Sequence, residues 1–269
     1  MSSTYEGHYP LENRSGEIER LHTQGAAMAP DTGVMLDRIG VRDGWQCLDI
    51  GCGPRGITDL LGERVGPGGR VVGLDMNERF LAHARAHAPA NVEFRQGDAF
   101  GSDLPAGTFD LVHMRFVGST AGDPERLLAE AMRLARPGGV VAMQEPDVAT
   151  LHCHPPHPAW ARLKEALLGA FASVGADLQL ARKLYLMARQ AGLQDVQFRP
   201  FVIGVRASDP MVDYLPATVE SLRATVLRLG LLSEEELDLT LSQCREHLHH
   251  PDTSFTLYTV AQVWGRTRG

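Results

Sequence analysis

Five short apolar runs alternating with helical patterns constrain this chain more than any other feature. The runs are Gln46-Cys-Leu-Asp-Ile50, Arg70-Val-Val-Gly-Leu-Asp75, Val92-Glu-Phe-Arg-Gln96, Phe109-Asp-Leu-Val-His113 and Val140-Val-Ala-Met-Gln144. Helical periodicity covers Ile57 to Val65, Asn77 to His87 and Pro124 to Ala135 between them. Strand and helix alternating at a steady interval predict βαβ units, right-handed crossovers and a parallel sheet covered on both faces.

The second half departs from this rhythm. His152 to Pro158 reads as a loop rich in Pro and His. Ala159 to Val174 and Asp177 to Ala191 read as helices, where one crossover helix would be enough. Val196 to Val205 is expected to be a sixth strand, and Phe255 to Trp264 a last edge strand. Between them Asp209 to Leu229 and Ser233 to His249 are helical, the latter opened by a Ser233/Glu236 capping box. Near the start, Ser15 to Met28 predicts a weakly amphipathic helix.

Composition narrows the class. With 269 residues, 43% hydrophobic and 22% charged, the chain can bury a substantial core. A net charge of −7 argues against a general nucleic-acid binder, which needs clustered Lys and Arg. Cys47, Cys52, Cys153 and Cys244 make no Cys-x-x-Cys pair, so no metal is expected and the thiols read as reduced in a cytoplasmic protein. Met1 to Gly16 lacks the pattern of a secretory signal. No apolar run approaches the ~20 residues of a membrane span.

The sharpest local signal is Leu48-Asp-Ile-Gly-Cys-Gly-Pro-Arg-Gly56. A strand ends at Ile50, Gly51 and Gly53 allow a tight turn, and a helix is expected from about Pro54. The exposed amides of such a turn suit an anionic group. Gly51, Gly53 and Gly56 also satisfy the dinucleotide fingerprint G-x-G-x-x-G, and Asp75 would serve a ribose in either case. Three features tip the balance toward a nucleoside with a methionine tail. Asp49 beside the turn would repel a pyrophosphate and attract an ammonium. Gln96-Gly-Asp-Ala99 puts an acid where an exocyclic adenine amine can donate to it. Arg136-Pro-Gly-Gly139 makes a sharp helix stop before the fifth strand.

In this order, Leu48-Asp-Ile-Gly-Cys-Gly53, Gly73-Leu-Asp-Met76, Gly97-Asp-Ala99, Phe109-Asp-Leu-Val-His-Met-Arg115 and Leu134-Ala-Arg-Pro-Gly-Gly139 resemble the class I S-adenosylmethionine-dependent methyltransferases. The likeness is nearest the branch of quinone-biosynthesis C-methyltransferases and bacterial natural-product methyltransferases. It implies a Rossmann-like, doubly wound α/β fold with a mostly parallel seven-stranded sheet, an antiparallel last strand and an added helical cap. Residues 1–33 would form N-terminal lid helices, 34–150 the cofactor-binding core, and 151–269 the rest of the sheet with the cap. The implied cofactor is S-adenosyl-L-methionine. By position, Asp49, Gly51, Cys52 and Gly53 hold its methionine end, Asp75 its ribose, and Met76 packs on adenine. Gly97 and Asp98 read the adenine amine, Ala99 and Phe100 wall the ring, and His113, Met114 and Arg115 line the methionine side. Tyr9, Arg20 and Gln24 close over the cofactor.

Methyl transfer from a sulfonium is an in-line displacement in which the protein supplies position and a dry site. Candidate bases are Glu145, at the ligand edge of the fifth strand, and His113, followed by His152, His154 and His157. The cap carries Trp160, Phe171, Tyr185, Met187 and Tyr214, which favours a small, largely apolar acceptor of natural-product or isoprenoid type. Arg115, Arg162, Arg182 and Lys183 would suit an anionic one. No nucleic-acid partner is expected, and the N-terminal helix offers a route to a homodimer. The alternatives are an NAD(P)-dependent oxidoreductase on the same glycines, or a sulfonium-binding relative with a non-transfer activity.

Overall fold

The computed structural model describes residues 16–269. Helix α1 (Glu17–Ile39) precedes an alternating run of β1 (Gln46–Ile50), α2 (Thr58–Val65), β2 (Arg70–Asp75), α3 (Glu78–Arg85) and β3 (Val92–Gln96). Then come β4 (Phe109–Arg115), α4 (Gly118–Ala121), α5 (Pro124–Leu134) and β5 (Ala135–Asp147). The second half holds β6 (His152–His154), α6 (Pro158–Ala172), α7 (Ala181–Gln190), β7 (Gln194–Phe201) and β8 (Gly204–Arg206). It ends with α8 (Tyr214–Ser221), α9 (Arg223–Arg228), α10 (Glu234–Leu248), β9 (Ser254–Thr256) and β10 (Thr259–Arg266).

The main sheet has seven strands in the order β3-β2-β1-β4-β5-β10-β7. All neighbours run parallel except β10, which is antiparallel to both β5 and β7. The expected fold class therefore holds, with one correction. The last strand is not an edge strand but sits inside the sheet. Burial explains this: Val260 to Gly265 of β10 are all buried, whereas β7, at the edge, is mostly exposed. The alternation read in Phe255 to Trp264 hid two strands, because β9 leaves the main sheet for a smaller one.

That smaller sheet, β6-β9-β8, was not expected. His152 to His154 pair with Thr256 to Ser254, so the Pro/His-rich segment read as a loop begins as a strand. Likewise the expected sixth strand breaks after Phe201 and resumes as β8 on the other side of β9. The cap is built on this sheet. Leu163, Leu167 and Phe171 of α6 pack with Leu215 and Val219 of α8, Leu237 and Leu241 of α10, and Phe255. Tyr185 and Met187 fall outside the cap: α7 covers the main sheet, burying Leu184 and Met187 against it.

Helix boundaries follow their caps. The Asp123 and Asn77 side chains accept from Arg126 N and Phe80 N, opening α5 and α3. His157 caps α6 through Ala159 N, with Pro158 in the first turn. Helix α1 runs unbroken through Pro30 to Ile39, so the expected boundary between residues 33 and 34 lies within it. Its first half shares the cap core through Met28, and its second half packs Met35, Leu36 and Ile39 against β1 and α2 neighbours.

At α10, Ser233 Oγ accepts from Glu236 N at 3.2 Å and Glu236 returns the bond to Ser233 N at 2.8 Å. Ser233→Ala should therefore lower stability by about 1 kcal/mol in urea denaturation without altering ligand affinity.

Candidate functional site

The strand order reverses at β1, and a crevice opens there over the carboxyl ends of the strands. A cavity of about 1090 Å³ fills it. Of the site residues expected from the sequence, Asp49, Gly51, Cys52, Gly53, Asp75 and Met76 line it. So do Gly97, Asp98, Ala99 and Phe100 at one end and Arg20, Gln24 and Arg115 towards the cap. Tyr9 lies outside the described residues.

The turn after β1 differs from the expected one. Gly51 N and Cys52 N both donate to Leu74 O, at 2.7 and 3.1 Å, and Gly53 N donates to Asp75 Oδ2 at 2.7 Å. These three amides are committed within the protein and do not form an anion cradle. Nor does a helix start at Pro54. Gly56 turns left-handed at φ +54° under Asp49, where a Cβ would lie 2.8 Å from Cys52 O and strike the Asp49 carboxylate. Helix α2 begins only at Thr58. At Gly53 a Cβ would meet nothing within 4 Å, so the bare backbone faces the cavity.

Each cavity acid is held in place. Asp75 Oδ1 accepts from Asn77 N at 2.8 Å. Burial raises the Asp75 carboxyl above its ordinary value, opposed by the amides of Asn77 and Gly53. Asp98 is exposed and accepts from Phe100 N at 2.9 Å. The Arg126 guanidinium lies 5.0 Å over the Phe100 ring. Met76 is 61% exposed, an apolar side chain held in the open beside Asp75. Burial pushes the Cys52 thiol well above its ordinary range, so it is not a nucleophile.

Asp49 is tied most firmly. Its Oδ2 accepts from Ile57 N at 3.0 Å and its Oδ1 from His113 Nδ1 at 2.7 Å. His113 Nε2 is 2.9 Å from Gln144 Nε2, whose Oε1 accepts from Gln262 Nε2 at 2.9 Å and from Thr32 Oγ1 at 3.3 Å. Gln262 Oε1 accepts from Arg199 Nη1 at 2.8 Å. With both Gln144 oxygen contacts assigned to donors, its amide nitrogen donates to His113 Nε2, and His113 is a neutral Nδ1–H tautomer. His113 is thus a fully buried link in a chain, not a base facing the cavity.

Two further expectations are corrected by geometry. Met114 is fully buried among Leu48, Ile50 and Val112 and does not line the cavity. Glu145, also fully buried, turns away from it: its oxygens accept from Gly118 N at 2.8 Å and Ser119 N at 3.0 Å, anchoring α4. His152, His154 and His157 are not cavity residues either. Arg182 pairs with Asp147 at 2.7 Å, Lys183 with Asp177 at 2.8 Å and Arg162 with Glu165 at 3.4 Å, all outside the cavity.

Tyr258 carries no expectation from the sequence, whereas Tyr214 and Phe171 are expected in an apolar cap over the acceptor. All three line the cavity. Gln24 Nε2 donates to the Tyr258 hydroxyl at 2.7 Å, and Tyr214 and Tyr258 hydroxyls lie 3.4 Å apart. Phe116, Pro146, Val148, Leu167 and Leu178 complete an apolar lobe beside them. The only sequence signal for Tyr258 is its place immediately before the last strand.

Residues 48–143 match the family described as Methyltransferase domain. The chain is 33% identical over 204 residues to trans-aconitate 2-methyltransferase from Azoarcus sp., covering 75% of this chain and 77% of that enzyme. It is 37% identical over 120 residues to demethylmenaquinone methyltransferase from Lactococcus lactis, covering 43% of this chain and 48% of that enzyme. The matched stretch thus spans about half the length of the latter. Among solved structures, a Haemonchus contortus phosphoethanolamine N-methyltransferase bound to S-adenosylhomocysteine shares the fold, with TM-score 0.55 and 20% identity over 89% of this chain and 53% of that one.

Replacing Gln144 with Leu removes the donor to His113 and the acceptor of Gln262 and Thr32 at nearly constant volume. Gln144→Leu should cost on the order of 3–5 kcal/mol in urea denaturation. Glu145 offers a pH test. Burial pushes its carboxyl from 4.5 up to about 7, against the pull of the Ser119 and Gly118 donors. The folded protein then holds this proton more tightly than the unfolded chain. Its contribution to stability is full below about pH 4.5 and is lost as pH rises through about 7. Glu145→Gln removes that slope, so wild-type stability relative to the variant should fall by roughly 2–3 kcal/mol between pH 4.5 and 8.

Proposed function

The chain belongs to the class I S-adenosylmethionine-dependent methyltransferases, and from that premise we propose that it methylates a small, largely apolar metabolite held in the lobe beside Tyr214 and Tyr258. The enzyme uses S-adenosylmethionine. The dinucleotide alternative finds no support, since the glycine-turn amides that would meet a pyrophosphate are bonded to Leu74 and Asp75.

The residues present fit this cofactor. Bare Gly53 lets it approach the turn, and Asp75 stands where a ribose diol can donate to it. Met76 and Phe100 offer apolar faces for adenine, and Asp98 an acceptor for its amine. Asp49 attracts the ammonium. When bound, the cofactor supplies a methyl group activated by positive sulfur. The protein's work is to orient, to exclude water and to leave the sulfonium without a strongly stabilising anion of its own. Gln24 and Arg20 on α1, with Tyr258, close the cavity on the lid side.

The observation that carries the acceptor reading is the continuity of the cavity. It runs from Asp98 past Gly53 to Leu167 and Phe171, and its ~1090 Å³ is at the upper limit for small-molecule sites. That leaves space for an acceptor beside a nucleoside. The purified protein should bind S-adenosylhomocysteine in calorimetry and lose that binding in Asp75→Ala. Incubated with labelled S-adenosylmethionine and a panel of phenols, isoprenoid alcohols and acids, it should label a small molecule. Leu178→Trp, which fills the lobe, should raise acceptor KM roughly tenfold or more with S-adenosylhomocysteine affinity kept. Label found only in protein or RNA would sink the small-molecule reading.

A further inference from the structure

The lobe proposed above to take the acceptor contains donors without acceptors. Arg115 ends β4 opposite Gln144, is half-buried, and its side chain makes no hydrogen bond among the described residues. Its guanidinium passes beside Gly25 of α1, where a Cβ would stand 3.5 Å from Nη2. Its charge is felt by both Asp49 and Tyr258, which places it between the cofactor turn and the cap. The next residue, Phe116, takes a left-handed φ of +61°, uncommon outside glycine, and sets its ring edge-on to Tyr258 at 5.8 Å.

Tyr258 adds a second donor. Its side chain is buried, and its hydroxyl accepts from Gln24 Nε2, whose amide is oriented by Arg20 donating to Gln24 Oε1 at 3.5 Å. Tyr214 lies within reach of the same hydroxyl at 3.4 Å. Between them the two phenols hold two protons, and only one can lie in their mutual hydrogen bond. The other has no acceptor among the described residues and faces the cavity. Burial raises both phenols above their ordinary range, so they remain donors at neutral pH. A guanidinium and an O–H that meet no acceptor among the described residues are open to an anion entering the cavity.

What the lobe lacks points the same way. None of the expected bases lines the cavity, because His113 and Glu145 are bound elsewhere and the loop histidines lie outside. Asp49 and Asp75 already accept from the protein. His22 also lines the cavity, with its ring 5.1 Å from that of His83 on α3, away from the two tyrosines. Among the described residues around Tyr214 and Tyr258, an acceptor that had to lose a proton would find no carboxylate or imidazole lining the cavity to take it.

We propose that Arg115 and the Tyr214/Tyr258 pair bind a carboxylate, and that the acceptor is a small apolar carboxylic acid methylated on oxygen. This rests on the methyltransferase reading. One carboxylate oxygen takes the Arg115 and tyrosine donors and the other is the nucleophile. It forms the O–CH3 bond as the S–CH3 bond breaks, the electron pair stays on sulfur, and the sulfonium becomes a neutral thioether. No proton moves, so no base is required.

The test uses the full chain with labelled S-adenosylmethionine and matched probes: cinnamate and geranate against cinnamamide and geraniol. The acids should be converted to methyl esters and the amide and alcohol left unchanged. Arg115→Met and Tyr258→Phe should each raise the KM for the acid at least about tenfold. Each should raise the KM for the acid at least about fivefold more than it weakens S-adenosylhomocysteine binding, and Arg115→Lys should recover part of the loss. If Arg115→Met instead loses S-adenosylhomocysteine binding but keeps that of 5′-methylthioadenosine, which lacks the carboxylate, Arg115 holds the cofactor and the proposal fails. Methylation of the alcohol or amide alone would overturn it while leaving the methyltransferase reading intact. Absence of S-adenosylhomocysteine binding by the wild type would remove that reading and this one together.

Discussion

A single row of buried hydrogen bonds runs across the sheet and ends at the cofactor turn. It starts at Arg199 on β7, passes Gln262 on β10, Gln144 on β5 and His113 on β4, and reaches Asp49 on β1. Every link donates in the same direction, from a cation at the edge strand to a carboxylate in the cavity. A polarised chain of this kind strengthens each of its bonds, and losing any member leaves buried polar groups without partners. It fixes the tautomer of His113 and through it the orientation of Asp49. Arg199 also pairs with Asp31, and Gln144 accepts from Thr32, so helix α1 is fastened to the same row.

The row requires the strand order that is observed. Gln262 stands opposite Gln144 on one side and Arg199 on the other, which is possible only with β10 between β5 and β7. Inserting β10 there also places the residue just before it. Tyr258 precedes Thr259, the first residue of β10, and lands beside Gln24 of α1 at the mouth of the lobe. The antiparallel strand therefore bears on both ends of the cavity, holding Asp49 through the row and delivering Tyr258 to the cap side.

Much of the first half was legible because its signals are local. The apolar runs, the helical stretches from Asn77 and Pro124 and the glycine-rich segment each lie within a few residues, and most of the described residues expected at the cofactor line one cavity at the strand ends. The second half depended on pairings between distant segments. Nothing near His152 reveals that Thr256, over a hundred residues on, will pair with it. Side-chain direction was equally hidden. Glu145 and Asp147 both lie near the ligand end of β5, and neither lines the cavity. His113 and Arg115 lie on the same face of β4 by alternation, yet the last register position carries Arg115 into the cavity while His113 meets Gln144.

The diversion of acids and imidazoles into structural bonds has a chemical consequence. A sulfonium loses its positive charge as the methyl group leaves, so a bare carboxylate against it would stabilise the ground state more than the transition state. Asp49 divides its charge between Ile57 N and His113, and Asp75 divides its own between Gly53 N and Asn77 N. Both acids thereby keep acceptor capacity for polar N–H and O–H groups while presenting less bare charge to the cavity. The same bonds hold them rigidly, so little reorganisation is needed when charge vanishes from sulfur. The hydrogen-bonded row that fills the sheet thus also limits the bare charge that Asp49 presents to the cavity.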